Sequence, residues 1–507
     1  MRIPYQFNKI GAGGHLTVDG PVYGSRGVFT FLRNGSCNQS AMTMRSRFIV
    51  SSRVSRMEVY NGGSALNTTV NYGGSVFVRD GGHAENTVVN SNGYLHVSPG
   101  GTASMTDVND YGYIYVSGGL ADGVEVHSNA RVFVHSGGIV RRANVSVGGS
   151  LYGQGVSVSF ESCVVSSNGR FDIGNSSGVR AIHTTICAFA SMYCYNSCAV
   201  EHTTVMSGAY LYVSSGANCT DVEVAAGGII NHHVWGNDEL TKVTGTNQYG
   251  TFWTSNGTAY GYVLVLNQQH LYHYASAVST VMSSGGTQFV SFGAVSEWPQ
   301  ISSNGRMYLY SSGRAYDAVI HSNGYMYADF HGTAVRATVS SAGYLYVSNY
   351  GRAVGAGVEA GGYMYVSNGG AATSTVLAGT QYVSNAGSVF HTTVNSGGIM
   401  YIRYNCAGSG ATIENGGSLH VSQNCSYADI VVSSRGWLGV YETCEIASVT
   451  VEEGGSFLLS RYCNATSVSV ANGGSFHVYS GASAFFVTSA AGALVTVETG
   501  GFIQYAT

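Results

Sequence analysis

The sequence predicts an all-β chain that winds into a right-handed parallel β-helix, or β-solenoid, with a 19-residue repeat. The clearest copies begin at Gly324, Gly343 and Gly362, each of which is followed by Tyr, then Met or Leu, then Tyr again. Glycine is abundant, at 71 residues, whereas proline occurs only 4 times, so the glycines are not part of a disordered Pro-Gly mixture. A fixed period of this size indicates stacked coils, and a chain of 507 residues holds about 26 of them.

Each repeat contains two strand-like segments that are separated by Gly-rich turns. In the segment Tyr344-Leu345-Tyr346-Val347, Leu345 and Val347 are expected to point inward and the tyrosines outward, because side chains alternate along a strand. The turns SGG, NGG and SNG are typical of positions that need positive φ. Neighbouring coils are expected to pair identical segments in parallel, with right-handed crossovers. No helix is predicted.

The regularity of the repeat divides the chain into four parts. Residues 1–56 are expected to form an N-terminal cap and degenerate coils, and residues 57–228 regular coils. Residues 229–284 are expected to form irregular coils with longer loops, and residues 285–507 regular coils again. No signal peptide, membrane-spanning segment or C-terminal cap is recognisable, which suggests a fragment of a longer precursor or another export route.

Composition argues against several classes of partner. Charged residues make up only 9% of the chain, and the net charge is −4. Nucleic acids and anionic membranes require basic patches, which this sequence lacks, so neither is an expected partner. The exterior is instead predicted to be neutral and rich in hydroxyl groups.

Four of the ten cysteines recur at the repeat period. Such a column brings neighbouring Cα atoms within about 5 Å, which a disulfide tolerates, so Cys406–Cys425 and Cys444–Cys463 could pair. A column of small, part-buried thiols is the preferred interpretation, and a zinc site is disfavoured because a straight column does not form a tetrahedron. The column consists of Cys406, Cys425, Cys444 and Cys463.

Candidate catalytic and metal-binding residues are few. Polysaccharide-cleaving β-helix enzymes need paired carboxylates in one groove, whereas the acidic residues here are scattered. His183 and His202 stand one coil apart and are expected to stack, with no carboxylate in their column. The sequence therefore predicts no enzyme, no cofactor and no metal site.

Outward-facing aromatic residues are the predicted binding surface. The neutral interpretation is that their rings stack along the solenoid and cover its sheet. The functional interpretation is that a flat aromatic face binds sugar rings or another copy of the chain. The residues in question are Tyr308, Tyr325, Tyr327, Tyr344, Tyr346, Tyr363 and Tyr365, with Trp235 and Trp253 of the irregular part as a second candidate.

The repeats also resemble a known family. GGHAENTVVNSNGYLHV, GGTASMTDVNDYGYIYV and AGSVFHTTVNSGGIMYI are similar to the AIDA-type repeats of bacterial autotransporter passengers, over residues 57–228 and 285–500. The resemblance implies a β-helix displayed outside the cell that acts in adhesion, self-aggregation or biofilm formation. It also implies O-glycosylation by a heptosyltransferase at turn serines. The matching serines are Ser91, Ser117, Ser136, Ser348, Ser367, Ser396 and Ser422.

The expected function is therefore non-enzymatic. The chain is predicted to lie on a bacterial surface or outside the cell and to bind another copy of itself, host glycans or host proteins. One alternative is a structural subunit of an extracellular fibre or surface layer, joined end to end. A less favoured alternative is a β-helix enzyme that processes polysaccharides.

Overall fold

The computed structural model describes most of the chain from Ser55 onward and four short strands before it. It divides into two compact units, Met1–Thr258 and Ala259–Thr507, and their boundary falls inside the segment predicted to be irregular. The described residues contain no helix that is long and apolar enough to cross a membrane. The described residues are 22–24, 27–31, 43–44, 48–50, 55–174, 178–214, 216–225, 227–233, 242–247, 251–255 and 257–506.

Two parallel sheets, here named sheet A and sheet B, build each unit. Sheet A receives one strand from each coil. In the first unit these strands are Gly27–Phe31, Ser55–Val59, Ser75–Val78, Tyr94–Val97, Tyr113–Ser117, Arg131–His135, Ser150–Gly153, Arg170–Ile173, Ser191–Cys194, Tyr210–Val213, Ile229–His233 and Thr251–Ser255. In the second unit they are Gln268–Tyr272, Thr287–Val290, Arg306–Leu309, Tyr325–Ala328, Tyr344–Val347, Tyr363–Val366, Thr380–Val383, Ile399–Ile402, Ser418–Val421, Trp437–Val440, Ser456–Leu459, Ser475–Val478 and Leu494–Val497.

Sheet B contains the second half of every coil, as one bent strand or two short ones. In the first unit its strands are Val22–Gly24, Thr43–Met44, Phe48–Val50, Ser64–Leu66, Thr68–Val70, His83–Glu85, Val88–Val89, Thr102–Val108, Leu120–Val126, Ile139–Val145, Val158–Glu161, Val164–Val165, Val179–Ile182, Thr185–Ile186, Ala199–Glu201, Thr204–Val205, Asn218–Thr220, Glu223–Val224 and Lys242–Asn247. The remaining strands are Thr258–Val265, Ser276–Val278, Val281–Ser283, Val295–Glu297, Gln300–Ile301, Arg314–Tyr316, Val319–Ile320, Thr333–Val335, Thr338–Val339, Arg352–Val354, Gly357–Val358, Ala371–Thr373, Val376–Leu377, Ser388–Phe390, Thr393–Val394, Ala407–Ile413, Ser426–Val432, Glu445–Val451, Asn464–Val470, Ser483–Ser489 and Phe502–Tyr505.

The predicted fold class is confirmed: the described chain is an all-β solenoid whose coils pair in parallel. Tyr344 pairs with Tyr325 in the preceding coil and with Tyr363 in the next, in the register that the 19-residue period predicts. Among the described strands, sheet A has 25, slightly fewer than the predicted 26 coils. The number is lower because some coils are longer than 19 residues, for instance the one from Ile229 to Thr251.

A single residue at positive φ bends the second half of the described coils, which the sequence analysis treated as one strand-like segment. Asn86, at φ 52°, separates His83–Glu85 from Val88–Val89. Met105, at φ 50°, bends the longer strand Thr102–Val108 at the equivalent position. Each coil therefore has three short sides, and the bend residues form an exposed column along each unit.

The core is made by the inward-facing residues of both sheets. Leu345 and Val347 are fully buried, as the alternating pattern predicts, while Tyr344 and Tyr346 are half-buried on the outer face. Sheet B contributes smaller residues at its inward position, for example Ala334. Full burial of a Leu or Val side chain contributes about 1.5–3 kcal/mol, so stacking of this column drives the fold.

Polar residues replace part of this core where the sequence signature fades. Gln288 donates a hydrogen bond to Gln269 at 2.7 Å, and Ser296 donates one to Gln288 at 2.9 Å. Thr280 completes the group with a contact of 3.4 Å to Gln269. Buried polar groups are tolerated when they bond to one another, and the coil continues through this region although its apolar pattern is weak.

Where two glycines follow each other in a turn, they have different roles. The first has positive φ, as the sequence predicts, for example Gly361 at φ 78°, and the second allows close packing of adjacent coils. Gly362 has an ordinary φ, but a Cβ atom there would lie 2.5 Å from the carbonyl oxygen of Val339 in the preceding coil. Residues at positive φ in the turns are often not glycine, as at Asn323 and Ala342. The second glycine of SGG is thus required because the backbones of adjacent coils nearly touch.

We expect the substitution Gly362→Ala to lower the free energy of unfolding by about 1–3 kcal/mol, because the added methyl group overlaps a backbone oxygen that cannot move aside. The measurement is the midpoint of urea unfolding. Gly397→Asn is the matched control, since Gly397 has φ +77° and a Cβ atom there would have no other atom within 4 Å. Asparagine accepts this backbone conformation, so an equal loss in both variants would contradict the explanation.

Candidate functional site: aromatic columns, turns and bends

The predicted tyrosine columns lie on the outer face of sheet A. Tyr308, Tyr327, Tyr346 and Tyr365 stack face to face, with ring centroids 4.7, 5.0 and 5.0 Å apart. Tyr344 stacks in the neighbouring column, at 5.1 Å from Tyr325 and 5.4 Å from Tyr363. The spacing follows from the strand spacing of about 4.8 Å, so in-register pairing alone brings the rings into contact.

The first of these columns is part of a longer ladder, here called the aromatic ladder. Along the whole ladder, the centroids of neighbouring rings are 4.7–5.3 Å apart. Each ring covers the face of the next, so edges and hydroxyl groups face outward. A sugar that bound to this column would therefore contact ring edges and hydroxyl groups. The members of the ladder are His270, Phe289, Tyr308, Tyr327, Tyr346, Tyr365, Tyr382, Tyr401 and His420.

Burial raises the pKa values of Tyr327, Tyr346 and Tyr365 in the ladder. Partial burial is the main cause, since it disfavours the charged phenolate. Neighbouring tyrosines raise the pKa of Tyr346 further, because one phenolate in the column would repel a second one beside it. The ladder thus presents neutral hydroxyl groups that can both donate and accept hydrogen bonds.

Two tryptophans in or just after the irregular part are described. Trp253 lies on sheet A and is 37% exposed, and Trp298 lies in the bend column and is 53% exposed. Trp235 lies outside the described residues. The binding role of these tryptophans and of the tyrosine columns stays a prediction.

The cysteine column is buried, and its four thiols are not joined to one another. The N–H of Cys406 donates to the sulfur of Cys425 at 3.3 Å, and the N–H of Cys425 donates to the sulfur of Cys444 at 3.4 Å. The sequence did not predict the disulfide that the structure has, which joins Cys194 and Cys198 across one turn.

The two stacked histidines have an acidic neighbour, which corrects the expectation that their column contains no carboxylate. His183 and His202 stack at 5.0 Å, and His202 Nδ1 lies 3.4 Å from a carboxylate oxygen of Asp221. All three are bend residues at positive φ. In the described part of the chain, no three or more His, Cys, Asp or Glu side chains are grouped as metal ligands would be.

Several carboxylates form ion pairs with cations from a neighbouring coil. Asp317 is held by Arg336 through two contacts of 2.7 Å, which lowers the pKa of Asp317. Glu161 accepts a hydrogen bond from Arg141 at 2.8 Å. A glycosidase needs two carboxyl groups that act on one bond from opposite sides, whereas these carboxylates are engaged by arginines.

The turn serines differ in accessibility. Ser91, Ser136 and Ser396 are exposed. The other four are half-buried, and the Ser348 hydroxyl contacts Asp329 at 3.3 Å. Exposure therefore favours three of the seven as sites of modification. The half-buried ones are Ser117, Ser348, Ser367 and Ser422.

Sequence reasoning missed a set of exposed aromatic residues in the turns that lead from sheet A to sheet B. Tyr274, Phe292 and Tyr350 are 79%, 58% and 66% exposed. In the sequence, these positions are marked by an aromatic residue where a turn usually has Gly or Asn. Turn residues follow no alternation pattern, however, so the sequence does not show whether their side chains point outward.

We expect the stability of the protein to fall as pH rises above about 10, the pKa of a free tyrosine. Tyr327, Tyr346 and Tyr365 have raised pKa values in the folded state, so the folded chain retains protons that the unfolded chain releases. The stabilisation is complete below pH 10 and is lost as pH rises through the folded pKa values. Urea midpoints between pH 8 and 11 measure it. A variant with Phe at positions 327, 346 and 365 should lose less stability over this pH range. An equal decrease of the urea midpoint in both proteins would contradict the explanation.

Comparison with known proteins identifies the repeat. Residues 60–112 match the AIDA family model, described as "Adhesin of bacterial autotransporter system, probable stalk". A comparison with curated proteins found no match.

Among solved structures, a hyper-glycosylated TibA fragment produced with TibC is 21% identical, with 90% of this chain and 97% of that chain covered and a TM-score of 0.18. A PL6-family alginate lyase, AlyGC, is 8% identical, with 91% and 96% covered and a TM-score of 0.18. The tailspike of E. coli bacteriophage HK620 is 11% identical, with 87% and 71% covered and a TM-score of 0.12. These TM-scores are low, and we draw no functional conclusion from them. Residues 60–112 therefore carry the repeat of the AIDA family, and the same type of parallel coil recurs in both units.

Proposed function

We propose that the chain is the non-enzymatic, surface-displayed part of a bacterial autotransporter-type adhesin and that it mediates adhesion, self-association or biofilm formation. The observation that carries the proposal is the match of residues 60–112 to an adhesin stalk, in a chain that repeats this coil many times. A stalk of this kind acts outside the cell, so we place the chain at the cell surface or in the medium.

The outer surface supports association through many weak contacts. With 9% charged residues and a net charge of −4, two copies repel each other little. The ladder presents a row of hydroxyl groups about 5 Å apart, which matches the spacing of the same row on a second copy. Contacts that are individually weak add up when two repetitive surfaces meet in register.

Modification of the turn serines forms part of the same proposal. The exposed hydroxyls of Ser91, Ser136 and Ser396 are open to a glycosyltransferase, such as a heptosyltransferase. Sugars at these positions would extend the neutral, hydroxyl-rich surface without adding charge.

A cell-mixing experiment tests the function. Non-aggregating bacteria that display the chain should settle and adhere to host cells, whereas the same cells without it should not. Because the contacts are largely uncharged, settling should change little between low and moderate salt. Failure of displaying cells to settle or to adhere would remove the adhesin proposal, and filaments of the purified chain in electron micrographs would favour the end-to-end fibre instead.

The ladder hydroxyls can be tested in the same assay. A variant with Phe at positions 327, 346 and 365 keeps the stacked rings, as Phe289 does beside Tyr308, but removes three outward hydroxyl groups. We expect it to settle more slowly than the unmodified chain. Tyr404→Phe is the control, since Tyr404 is 49% exposed in a turn and lies outside the ladder. Equal slowing in both variants would exclude a specific role of the ladder.

A further inference from the structure

The turns from sheet A to sheet B differ between the two units. In the first unit their left-handed positions are mostly glycines, such as Gly81 and Gly118 at φ +65° and +71°. In the second unit Tyr274 and Tyr350 occupy the equivalent positions at φ 62° and 67°. A bulky residue is strained in this conformation, and such strain is concentrated at functional sites. The turns of the second unit therefore retain aromatic side chains where glycine would fold more easily.

Three of these turns border a cavity of about 610 Å³ at the beginning of the second unit. Its volume lies in the range of small-molecule binding sites. It opens at the surface, and its walls come from three consecutive coils. The residues that line it include His273, Tyr274, Phe292, Ser311, Arg314 and Tyr316.

The aromatic walls present ring surface to the solvent, unlike the aromatic ladder. Tyr274 is 79% exposed and Phe292 is 58% exposed. The Tyr274 ring lies against the turn of the next coil, where a Cβ atom on Gly293 would be 2.8 Å from Tyr274 Cε1. Glycine at 293 thus leaves room for the ring. Exposed faces of this kind carry negative charge density and attract the C–H groups of a sugar ring.

A cationic side chain, that of Arg314, also lines the cavity. Arg314 begins the strand Arg314–Tyr316 and is exposed, and it pairs in register with Val295 of the preceding coil. Among the described residues, the carboxylates that form ion pairs with arginine do so with other arginines, and none pairs with Arg314. A guanidinium that is open to the cavity matches a carboxylate in two-point geometry. Ser312, also in the lining, adds an exposed hydroxyl group.

We propose that this cavity binds a carboxylated sugar unit of a surface glycan. The carboxylate pairs with Arg314, the pyranose ring packs against Tyr274 and Phe292, and the serine hydroxyls bond to the sugar hydroxyls. The inference rests on the proposed adhesin function, because it names the class of glycan that the adhesin recognises. A neutral sugar would leave the cation without a partner and bind more weakly.

The test uses the purified full chain and isothermal titration with a tetramer of galacturonic acid, with a neutral galactose tetramer as the matched ligand. We expect the acidic tetramer to bind at least about ten-fold more tightly, with an affinity that falls as salt is added. Arg314→Gln should lower this affinity about ten-fold or more, and Tyr274→Gly should lower it without harming the fold, since glycine suits the turn.

The controls lie in equivalent positions outside the cavity. Arg352→Gln changes an exposed arginine at the same strand position two coils further along, and Tyr350→Gly changes an exposed turn aromatic. Neither should alter binding. The proposal is overturned if the unmodified chain does not prefer the acidic tetramer, or if the Arg314 and Arg352 variants bind it equally well.

The cell-mixing assay separates this inference from the proposed function. Glycan binding that depends on Arg314, in a chain whose cells neither settle nor adhere, would support the site and reject the adhesin function. Settling and adhesion by a chain that binds neither tetramer would support the adhesin function and reject the site.

Discussion

Parallel, in-register hydrogen bonding between successive coils is the constraint on which the rest of the structure depends. The N–H of Tyr344 donates to the carbonyl of Gly324 at 3.0 Å, and the N–H of Tyr363 donates to Gly343 at the same distance. Because every coil repeats this contact, each sequence position becomes a column of neighbours about 4.8 Å apart. Each side chain in this fold therefore packs mainly against the side chains one repeat before and after it.

This constraint explains the unusual composition. Like charges in one column would repel, so charged residues are rare, and several of those present form pairs such as Asp317 with Arg336. Aromatic rings suit a column, since the strand spacing is close to their stacking distance. Glycine is required where the backbones of two coils meet, as at Gly362 beside Val339. The inward columns require apolar residues, which leaves the bends and turns as the positions where the chain varies most freely.

Aromatic residues consequently occur in two chemical settings. On sheet A they stack on one another, so Tyr346 offers an edge and a hydroxyl group while its faces are covered. In the turns of the second unit some rings also contact each other, as His331 and Tyr350 do at 5.6 Å, but Tyr274 is 79% exposed and so offers ring surface as well. The first arrangement suits contact with a repetitive partner, whereas the second suits a small ligand with a charged group. In the proposed function, the same residue type serves stability in one column and recognition in another.

The sequence by itself determined the period, the fold class, the inward positions such as Leu345 and the tyrosine columns, because these depend only on spacing along the chain and on alternation within a strand. It could not determine the bend that divides the second half of each coil, since Asn86 and Met105 share no chemical property that marks a left-handed residue. The period also places Asp221 one repeat after His202, although the sequence analysis expected no carboxylate in that column. The sequence did not reveal that Tyr274, Phe292 and Arg314 border one cavity. The cavity is lined by turn residues, and the directions of their side chains do not follow from alternation within a strand. Only the path of the turns in three dimensions brings them together.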